Sequence, residues 1–463
     1  MNQSIELSLQ ESSPINPYSL LLDAFTFIPL WHYLVIFLFI CFVFLYYHLD
    51  FHFFQDVFAG FKGCPVTLTY NSNSHIYHNV VSKCRVLHSR YLATSWLASP
   101  HLQNFFLTFL GNPPDVTYQR ELFCLADGGT IALDWVVNSM PRDDASPILM
   151  VLPGLTSDSN SSYIRHLTCN TSKLLGWNVV VSNHRGLGGV PITSDFIYTC
   201  GWTNDVREVT NHLHHRHPNA PLFIVGTSIG ANILVKYLGE DGENVPVSGA
   251  AAICCPWDFL VGDRFIRRTL LQRLYDKALT LGLQWYSEQH RHSYSRLSDW
   301  EGKMHSIRHY HKTCDVGKFE TVDAFYRRNS SAIYVCNVSV PLLCINALDD
   351  PLCTAEAIPW DECRENVNVV LATTTHGSHL AYFERITASG IWWVRAVDEF
   401  FSVLNCSEFK HKQKDLGAES TLDSTLDHDH SSPNLMVALV KVVALVKLVA
   451  LVKAGFRKWG FLA

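Results

Sequence analysis

The sequence predicts an α/β protein with a mostly parallel central sheet and helices on both faces. Short apolar strands alternate with helical stretches along the chain, which is typical of a parallel sheet covered on both sides. At 222–238 an apolar run meets Gly-x-Ser-x-Gly and continues with apolar residues three and four apart, a pattern that indicates strand, tight turn and helix. Ligands of such sheets bind beyond the carboxyl ends of the strands, so we expect the functional residues there.

The composition fits one large catalytic domain with appendages, or two domains. The chain has 463 residues and a net charge of -6, so no overall basic field would attract nucleic acid. Its 14 cysteines follow no regular spacing, which favours reduced thiols in a core over a disulfide framework. Asn-x-Ser/Thr triplets keep a lumenal location open, and they begin at Asn2, Asn160, Asn170, Asn329, Asn337 and Asn405.

The N-terminal part of the chain predicts a membrane anchor. Residues 1–23 form a polar, acidic tail without Lys or Arg, which fits neither a transit peptide nor a secretory signal. Residues 24–47 are uncharged, apolar and edged by aromatic residues, so they predict a transmembrane helix in preference to a buried core helix. Pro29 marks the start of this helix or a kink. Basic residues lie C-terminal to the span, which favours a cytosolic body on a single-pass endomembrane protein, with organelle and orientation left open.

A catalytic domain is predicted over 116–404, after a connecting region at 48–115 that the pattern does not assign. It opens with strands at 117–124 and 130–137, joined by Asp127-Gly128-Gly129, which is a hairpin signal. The remaining strands are expected at 148–152, 178–182, 222–225, 247–254, 342–346 and 367–372, and the last helix at 392–404.

An insertion at about 257–340 interrupts the alternation of strand and helix. It is rich in Arg, His, Tyr and Leu, and residues 265–285 have helical periodicity. An insertion between two core strands is a usual place for a lid, so we predict a helical cap over the site.

The C-terminal part lies beyond the predicted domain. Residues 405–434 have the composition of a disordered linker. Residues 435–463 repeat Val-Ala-Leu-Val-Lys with lysines spread around a helix axis. This favours a low-complexity appendage over the alternative, a second membrane contact.

Ser228, at the centre of the Gly-x-Ser-x-Gly turn, is the candidate nucleophile. A serine hydroxyl is a poor nucleophile unless a base reaches it and donors face the developing oxyanion. Gly226 and Gly230 leave room for the strained turn between strand and helix. We expect the oxyanion donors to be the amide of Ile229 and the amide of Leu155, which follows Gly154 at the end of the strand at 148–152.

A base and a carboxylate follow Ser228 in the order that α/β-hydrolases use. The strand at 342–346 ends near two adjacent carboxylates, Asp349 and Asp350, and Asp350 lies directly before Pro351, where a carboxylate can orient an imidazole. Two histidines lie on the loop after the last strand. His379 is preferred to His376 because it follows the small Gly377-Ser378 pair, which lets the loop swing the ring over the serine.

Two histidine-rich stretches are given structural interpretations. The first is a cluster of histidines at the end of a predicted helix, His212, His214, His215 and His217. Cationic side chains are favourable at a helix C-terminus. A zinc site there is the weaker alternative, because no Cys or carboxylate shares the spacing. Residues 289–312 predict a solvated cap surface in preference to a phosphate site. The sequence has no dinucleotide fingerprint, and we predict neither a cofactor nor a metal.

Six motifs follow one another between residues 127 and 258 in an order that resembles a known family. They are Asp127-Gly128-Gly129-Thr130-Ile131-Ala132-Leu133-Asp134-Trp135, Leu152-Pro153-Gly154-Leu155-Thr156, Asn183-His184-Arg185-Gly186, Gly201-Trp202-Thr203-Asn204-Asp205-Val206-Arg207, Gly226-Thr227-Ser228-Ile229-Gly230 and Pro256-Trp257-Asp258. This order is similar to that of family 4 of the AB hydrolase superfamily. The family includes membrane-anchored plant embryogenesis-associated proteins and animal phospholipase-like members.

The resemblance implies an α/β-hydrolase fold with a Ser-Asp-His triad at Ser228, Asp350 and His379. It also implies esterase or phospholipase activity on acyl lipids. The family pattern places the acid three residues after the small residue that closes the strand, here Ala347, so Asp350 is preferred and Asp349 is taken as an ordinary turn residue. The chain departs from the family at Ser378, where Gly is usual, and at His184, where an aromatic residue is usual.

We therefore expect a membrane-anchored serine hydrolase that cleaves carboxylic esters of acyl lipids through an acyl-enzyme. The alternatives are an acyltransferase that uses the same acyl-enzyme and a non-catalytic scaffold with this fold. The expected partners are an acyl-lipid ester and a bilayer, without nucleic acid. The sequence leaves the oligomeric state, acyl chain length and head group open.

Overall fold

The computed structural model describes residues 17–48, 60–137, 145–293, 305–314 and 319–411. The chain divides into two compact units, Met1–His52 and Phe53–Ala463. The first part of the predicted N-terminal tail, the predicted linker beyond residue 411 and the predicted tail at 435–463 lie outside the described residues.

Ten strands form one sheet in the larger unit, and two short strands form a separate hairpin. The strands are β1 Cys64–Tyr70, β2 Arg90–Tyr91, β3 Tyr118–Cys124, β4 Thr130–Val136, β5 Ile148–Leu152, β6 Asn178–Ser182, β7 Leu222–Thr227, β8 Gly249–Ile253, β9 Leu342–Ala347, β10 Val369–Thr374, β11 Phe383–Glu384 and β12 Gly390–Ile391. The sheet order is β2-β1-β10-β9-β8-β7-β5-β6-β4-β3. The six strands from β10 to β6 are parallel, and both edges are antiparallel.

The parallel strands are buried on both faces, which explains their continuous apolar runs. Every residue of β5, β7, β8, β9 and β10 is buried. The α/β class and the mostly parallel sheet are confirmed, and the bounds predicted for β5 and β6 agree with the structure. The strand expected at 247–254 is shorter, and that expected at 367–372 is shifted by two residues.

The sheet also extends into the region that the sequence pattern left unassigned. β1 pairs antiparallel with β10, so residues 64–70 lie on the far side of the last parallel strand. The burial pattern of β1 is mixed, and an edge strand with such a pattern gives little periodicity to detect.

Helices of the larger unit cover both faces of its sheet and form the insertion between β8 and β9. The described helices of the whole chain, the first two of which belong to the smaller unit, are α1 Pro17–Phe27, α2 Leu30–His48, α3 His75–Asn79, α4 Pro100–Phe105, α5 Ser162–Asn170, α6 Asn204–Arg216, α7 Ile229–Asp241, α8 Phe259–Phe265, α9 Leu270–Gln289, α10 Ile307–Cys314, α11 Val322–Asn329, α12 Trp360–Glu365 and α13 Trp392–Asn405. π-helical turns continue two of them, Phe106–Leu110 after α4 and Thr171–Leu175 after α5.

The insertion contains α8 to α11, and its longest helix differs from the predicted one. The periodicity predicted a helix over 265–285, but α8 ends at Phe265 and α9 begins at Leu270. Thr269 caps α9 in a capping box with Gln272, and this reciprocal pair satisfies the first amides of the new helix. α9 is tied to the body because Tyr286 donates to the carbonyl of Arg185 at 2.7 Å.

The smaller unit contains α1 and α2, which are separated at Ile28 and Pro29. The predicted single transmembrane helix over 24–47 is therefore divided between two helices, since Pro29 has no amide hydrogen to continue the helical bonding. Within the described residues, no helix is both long and apolar enough to cross a bilayer. The predicted transmembrane helix is thus not confirmed.

One buried carboxyl in the core makes stability depend on pH. Asp398 on α13 is 4% exposed and accepts hydrogen bonds from Asn170 and Thr171, both at 2.6 Å. Burial raises the pKa of Asp398 to about 7, against the opposing effect of those hydrogen bonds. The folded protein therefore holds a proton that the unfolded chain loses near pH 4.

We expect the free energy of unfolding to fall as the pH rises between about 4 and 7, by up to about 4 kcal/mol from this group alone. Asp398→Asn removes the titration, so its thermal midpoint should fall less than that of the wild type over this range. Thermal unfolding of both proteins at about pH 5 and about pH 8 measures the difference. Equal declines would show that Asp398 is not the group responsible.

Candidate active site

Ser228 lies on a strained turn between β7 and α7. Its backbone has φ 54° and ψ -119°, a conformation that side-chain-bearing residues rarely adopt. A Cβ added at Gly226 would lie 2.5 Å from the carbonyl oxygen of Gly230, and one at Gly230 would lie 2.5 Å from that of Pro153. Both positions therefore require glycine, as the sequence predicts, because any side chain would collide with backbone.

The structure brings Ser228, His379 and Asp350 together. His379 Nε2 lies 2.9 Å from Ser228 Oγ, and His379 Nδ1 lies 2.8 Å from Asp350 Oδ2. Asp350 is 2% exposed, and its other oxygen accepts from the amides of Leu352 and Cys353 at 2.8 and 2.9 Å. These two amides fix the carboxylate, so that its free oxygen faces the imidazole. This arrangement can transfer a proton from the serine and hold the imidazole in one tautomer.

Asp349 and His376, the alternatives left open by the sequence, form a pair of their own. His376 Nδ1 lies 3.3 Å from Asp349 Oδ2, and Asp349 Oδ1 accepts from the amide of Ser378 at 2.9 Å. Burial raises the pKa of the Asp349 carboxyl, against the opposing effect of those two hydrogen bonds. This pair shapes the loop before His379, whereas Ser228 Oγ is hydrogen-bonded to His379.

Ser378 shows why glycine is usual before the histidine in this family. Its φ is 60°, a region that favours glycine. Its hydroxyl donates to the carbonyl of Pro100 at 2.6 Å, which ties the histidine loop to the first turn of α4. The hydrogen bond offsets part of the conformational cost of a side chain at this position.

The loop after β5 approaches the serine from the other side. A Cβ added at Gly154 would lie 3.3 Å from the Cβ of Ser228, so the backbone of this loop lies next to the nucleophile. Within the described residues, none of the backbone hydrogen bonds of turns, loops and helix caps uses the amide of Leu155 or that of Ile229. Both predicted donors are thus available to an oxygen bound beside Ser228.

Three side chains that sequence analysis did not connect with the site hold this loop in place. The amide of Gly154 donates to Tyr163 Oη at 2.9 Å, and that of Thr156 donates to Tyr198 Oη at 3.2 Å. His184 Nε2 lies 2.9 Å from the carbonyl oxygen of Pro153. The backbone groups on both sides of Leu155, namely the Pro153 carbonyl and the amides of Gly154 and Thr156, are therefore held by hydrogen bonds. Tyr163 lies on α5, whereas His184 and Tyr198 both lie on the loop between β6 and α6, and no local pattern signals that they converge.

His184, one of the two departures from the family, is suited to this contact. Its ring stacks on Tyr198 with centroids 4.8 Å apart and planes 7° apart. Burial lowers the pKa of His184, so the imidazole stays neutral near pH 7 and donates from Nε2 to Pro153. The histidine thus adds a hydrogen bond to the loop that carries Leu155.

One group of possible metal ligands overlaps the catalytic residues. Cys254 Sγ, an Asp350 oxygen and a His379 nitrogen lie within 4.8 Å of one another, and the described residues contain no second such group. Burial raises the pKa of Cys254 well above its ordinary value, so its thiol stays protonated. Both ring nitrogens of His379 already have partners. The donors therefore fit the triad arrangement better than a metal, and the predicted histidine cluster does not contribute to the group.

Known proteins that are similar to this chain indicate its family. Residues 143–385 match the family model described as serine aminopeptidase, S33. The chain is 31% identical over 376 residues to embryogenesis-associated protein EMB8 of Picea glauca, which covers 76% of this chain and 79% of that protein. It is 34% identical over 317 residues to phospholipase ABHD3 of Homo sapiens, covering 67% and 76%.

A more distant relative is the monoacylglycerol lipase of Saccharomyces cerevisiae, 27% identical over 273 residues, covering 57% of this chain and 60% of that protein.

The matches confirm the resemblance that the motif order indicated, and with it the α/β-hydrolase fold. The protein is a carboxylic ester hydrolase. It belongs to the AB hydrolase family that contains the plant embryogenesis-associated proteins and the animal phospholipase-like members.

Proposed function

We propose that this protein hydrolyses a carboxylic ester of an acyl lipid through an acyl-enzyme on Ser228. The observation that carries the proposal is the imidazole of His379, which lies between Ser228 Oγ at 2.9 Å and Asp350 Oδ2 at 2.8 Å. A serine, a histidine and a buried carboxylate in this order supply a nucleophile, its base and the group that orients the base.

The reaction follows from these contacts. His379 Nε2 takes the proton of Ser228 as Oγ attacks the ester carbonyl, and Asp350 stabilises the resulting imidazolium through Nδ1. The amides of Leu155 and Ile229 stabilise the oxyanion. The imidazolium returns the proton to the leaving alcohol, and the acyl group stays on Ser228. Water then attacks the acyl-enzyme with His379 as base, which releases the fatty acid and restores the serine.

Apolar surroundings support a lipid as the source of the acyl group. The side chain of Leu155 packs against two apolar clusters, and that of Ile229 is part of the second. The first cluster includes Tyr198 and Leu283, and the second includes Phe325. Both donors thus border buried apolar side chains, an environment that suits an acyl chain. The names of two relatives, a phospholipase and a monoacylglycerol lipase, point to the same substrate class.

Product analysis tests the proposed function. Purified full-length protein is given a monoacylglycerol or a phospholipid, with and without an added short alcohol. We expect free fatty acid as the main product in both cases, with hydrolysis blocked by a fluorophosphonate. An ester of the added alcohol as the main product would identify an acyltransferase, the alternative with the same acyl-enzyme. A folded protein that releases neither product would contradict the proposal.

Asp350 and Asp349 can be separated by matched substitutions. In Asp350→Asn the side-chain oxygen can keep the two amide hydrogen bonds, but the amide nitrogen then faces His379 and imposes the wrong tautomer. We expect kcat to fall by about 10⁴-fold with little change in KM. Asp349→Asn keeps its acceptor for Ser378 and should lower kcat by less than about tenfold. Steady-state hydrolysis of a soluble short-chain ester measures both, and the reverse ranking would make Asp349 the triad acid.

We also propose that the uncharged segment at 24–47 holds the protein on a membrane. The segment is free of formal charge, and many of its large apolar side chains are exposed, among them Leu34, Phe37 and Phe39 at 58%, 55% and 65%. Burial of such side chains in lipid is favourable. Alkaline extraction of membranes from expressing cells tests the anchor, and full release of the protein into the supernatant would contradict it.

A further inference from the structure

Six large apolar side chains are exposed in the larger unit, the catalytic unit that contains Ser228. We call this set of residues the apolar rim. Between 41% and 83% of each residue is exposed, and the members are Phe61, Leu92, Trp96, Phe105, Leu110 and Ile386. Soluble proteins rarely expose large apolar residues together without a partner that covers them.

Contacts between neighbouring segments bring these residues to one end of the sheet. Residues 60–63 precede β1, which runs antiparallel to β10, so they lie at the carboxyl end of β10. A Cβ added at Gly63 would lie 2.5 Å from Leu92 Cδ2. Trp96 Nε1 donates to the carbonyl of Ile386 at 2.8 Å. Residues from three parts of the chain thus meet at the strand ends where the catalytic residues lie.

The other side of the rim is connected through α4 to the loop that carries His379. The Trp96 ring lies edge-on to Phe106, with centroids 5.2 Å apart, and Phe106 follows the last residue of α4. At the start of α4, the carbonyl of Pro100 accepts the 2.6 Å hydrogen bond from Ser378, the residue before His379. The apolar rim therefore borders the loop that carries the catalytic base.

The segment from α4 through the following turn carries apolar side chains on two faces, since Leu102, Phe106 and Leu107 pack against the core while others face outward. Among its residues 100–110, all of them described, the buried one is Gln103, whose side-chain oxygen accepts from the amide of Phe383 at 3.2 Å. Phe105 and Leu110 are exposed. A helix on a water-soluble surface has its apolar stripe turned inward. The second apolar face, with Phe105 and Leu110, is suited to an apolar environment outside the protein.

The charge around the rim favours an anionic lipid surface as this environment. Residues 57–114 contain no Asp or Glu, although the whole chain has a net charge of -6. Lys62 and Arg90 in this stretch are exposed, and Arg385, next to Ile386, is also exposed. Apolar side chains surrounded by cations bind membranes by inserting among lipids while the cations attract anionic headgroups.

We propose that the apolar rim is a membrane-binding surface of the catalytic unit, distinct from the segment at 24–47. It inserts into the interface of a bilayer that carries anionic lipid, and it holds the edge of the sheet with His379 against that interface. The surface itself does not depend on the reaction, and only its effect on lipid turnover rests on the proposed function.

Two matched variants of the full-length protein test the proposal. Leu92→Asp with Ile386→Asp changes the rim, whereas Leu174→Asp with Ile333→Asp makes the same substitutions at residues that are 70% and 67% exposed elsewhere. The substrate is monoacylglycerol in phosphatidylcholine vesicles with phosphatidylserine, and a soluble short-chain ester is the reference. We expect the rim variant to lose about tenfold or more of its vesicle activity and to keep its activity on the soluble ester. Equal activities of the two variants on vesicles would overturn the proposal.

A binding measurement keeps the result independent of catalysis. Vesicles that contain brominated phosphatidylcholine quench tryptophans that enter the lipid, so the difference in quenching between wild type and Trp96→Phe reports Trp96. We expect Trp96 to be quenched, and more strongly with phosphatidylserine and low salt than without them. Quenching that is unchanged in Trp96→Phe would overturn the rim as a membrane surface. A wild type that hydrolyses neither substrate but shows Trp96 quenching would contradict the proposed function alone.

Discussion

Replacing Ser228 with alanine is expected to abolish covalent labelling by a fluorophosphonate and to lower kcat by about 10⁶-fold. The hydroxyl is the atom that His379 Nε2 contacts at 2.9 Å, and no acyl-enzyme can form without it. Labelling of the purified protein, resolved on a gel, and steady-state hydrolysis of a soluble ester measure the two effects.

The alanine variant should remain folded. Ser and Ala both carry a Cβ, so the strain of φ 54° at this position is the same in both proteins. The thermal midpoint of Ser228→Ala should therefore lie close to that of the wild type. Ser157→Ala is the matched control. Ser157 lies on the loop beside the Ser228 turn, and its Oγ is 3.5 Å from the carbonyl oxygen of Leu155. Equal labelling of wild type and Ser228→Ala would exclude Ser228 as the nucleophile.

The elements predicted best from sequence are strands that are buried along almost their whole length. β5 and β6 match their predicted bounds because each is an apolar run with turn residues at both ends, which is all that a central parallel strand requires. The turn at Ser228 was also predictable, since Gly226 and Gly230 have local steric reasons to be glycine.

Features that depend on distant partners were missed or left open. The order of residues does not decide between Asp349 and Asp350, because their side chains point to different histidines only in the folded loop. Tyr163 and Tyr198 hold the loop around Leu155 from separate parts of the chain. The gap before α9 was missed because the helical periodicity continues through Thr269, whose side chain caps the start of a new helix.

The choice between His379 and His376 has the second large effect. We expect His379→Gln to lower kcat by about 10⁶-fold, because the base that takes the Ser228 proton and returns it to the leaving group is lost. His376→Gln should lower kcat by less than about tenfold. Its ring contacts Asp349 at 3.3 Å, and the glutamine amide can still donate to that carboxylate. Single-turnover hydrolysis of a chromogenic ester compares the two variants under the same conditions.

The pair of variants also distinguishes loss of the base from collapse of its loop. Asp349 binds the amide of Ser378, so disruption of the loop through His376 would displace His379 and mimic its loss. In that case Asp349→Asn and His376→Gln would both lower kcat strongly, and the thermal midpoint would fall with it. If His379 is the base, His379→Gln alone has the large effect, and it leaves the thermal midpoint nearly unchanged because Asp350 keeps its two backbone amides. A large loss in His376→Gln with a small one in His379→Gln would exchange the two roles, and His376 would then be paired with Asp349 as the acid of the triad.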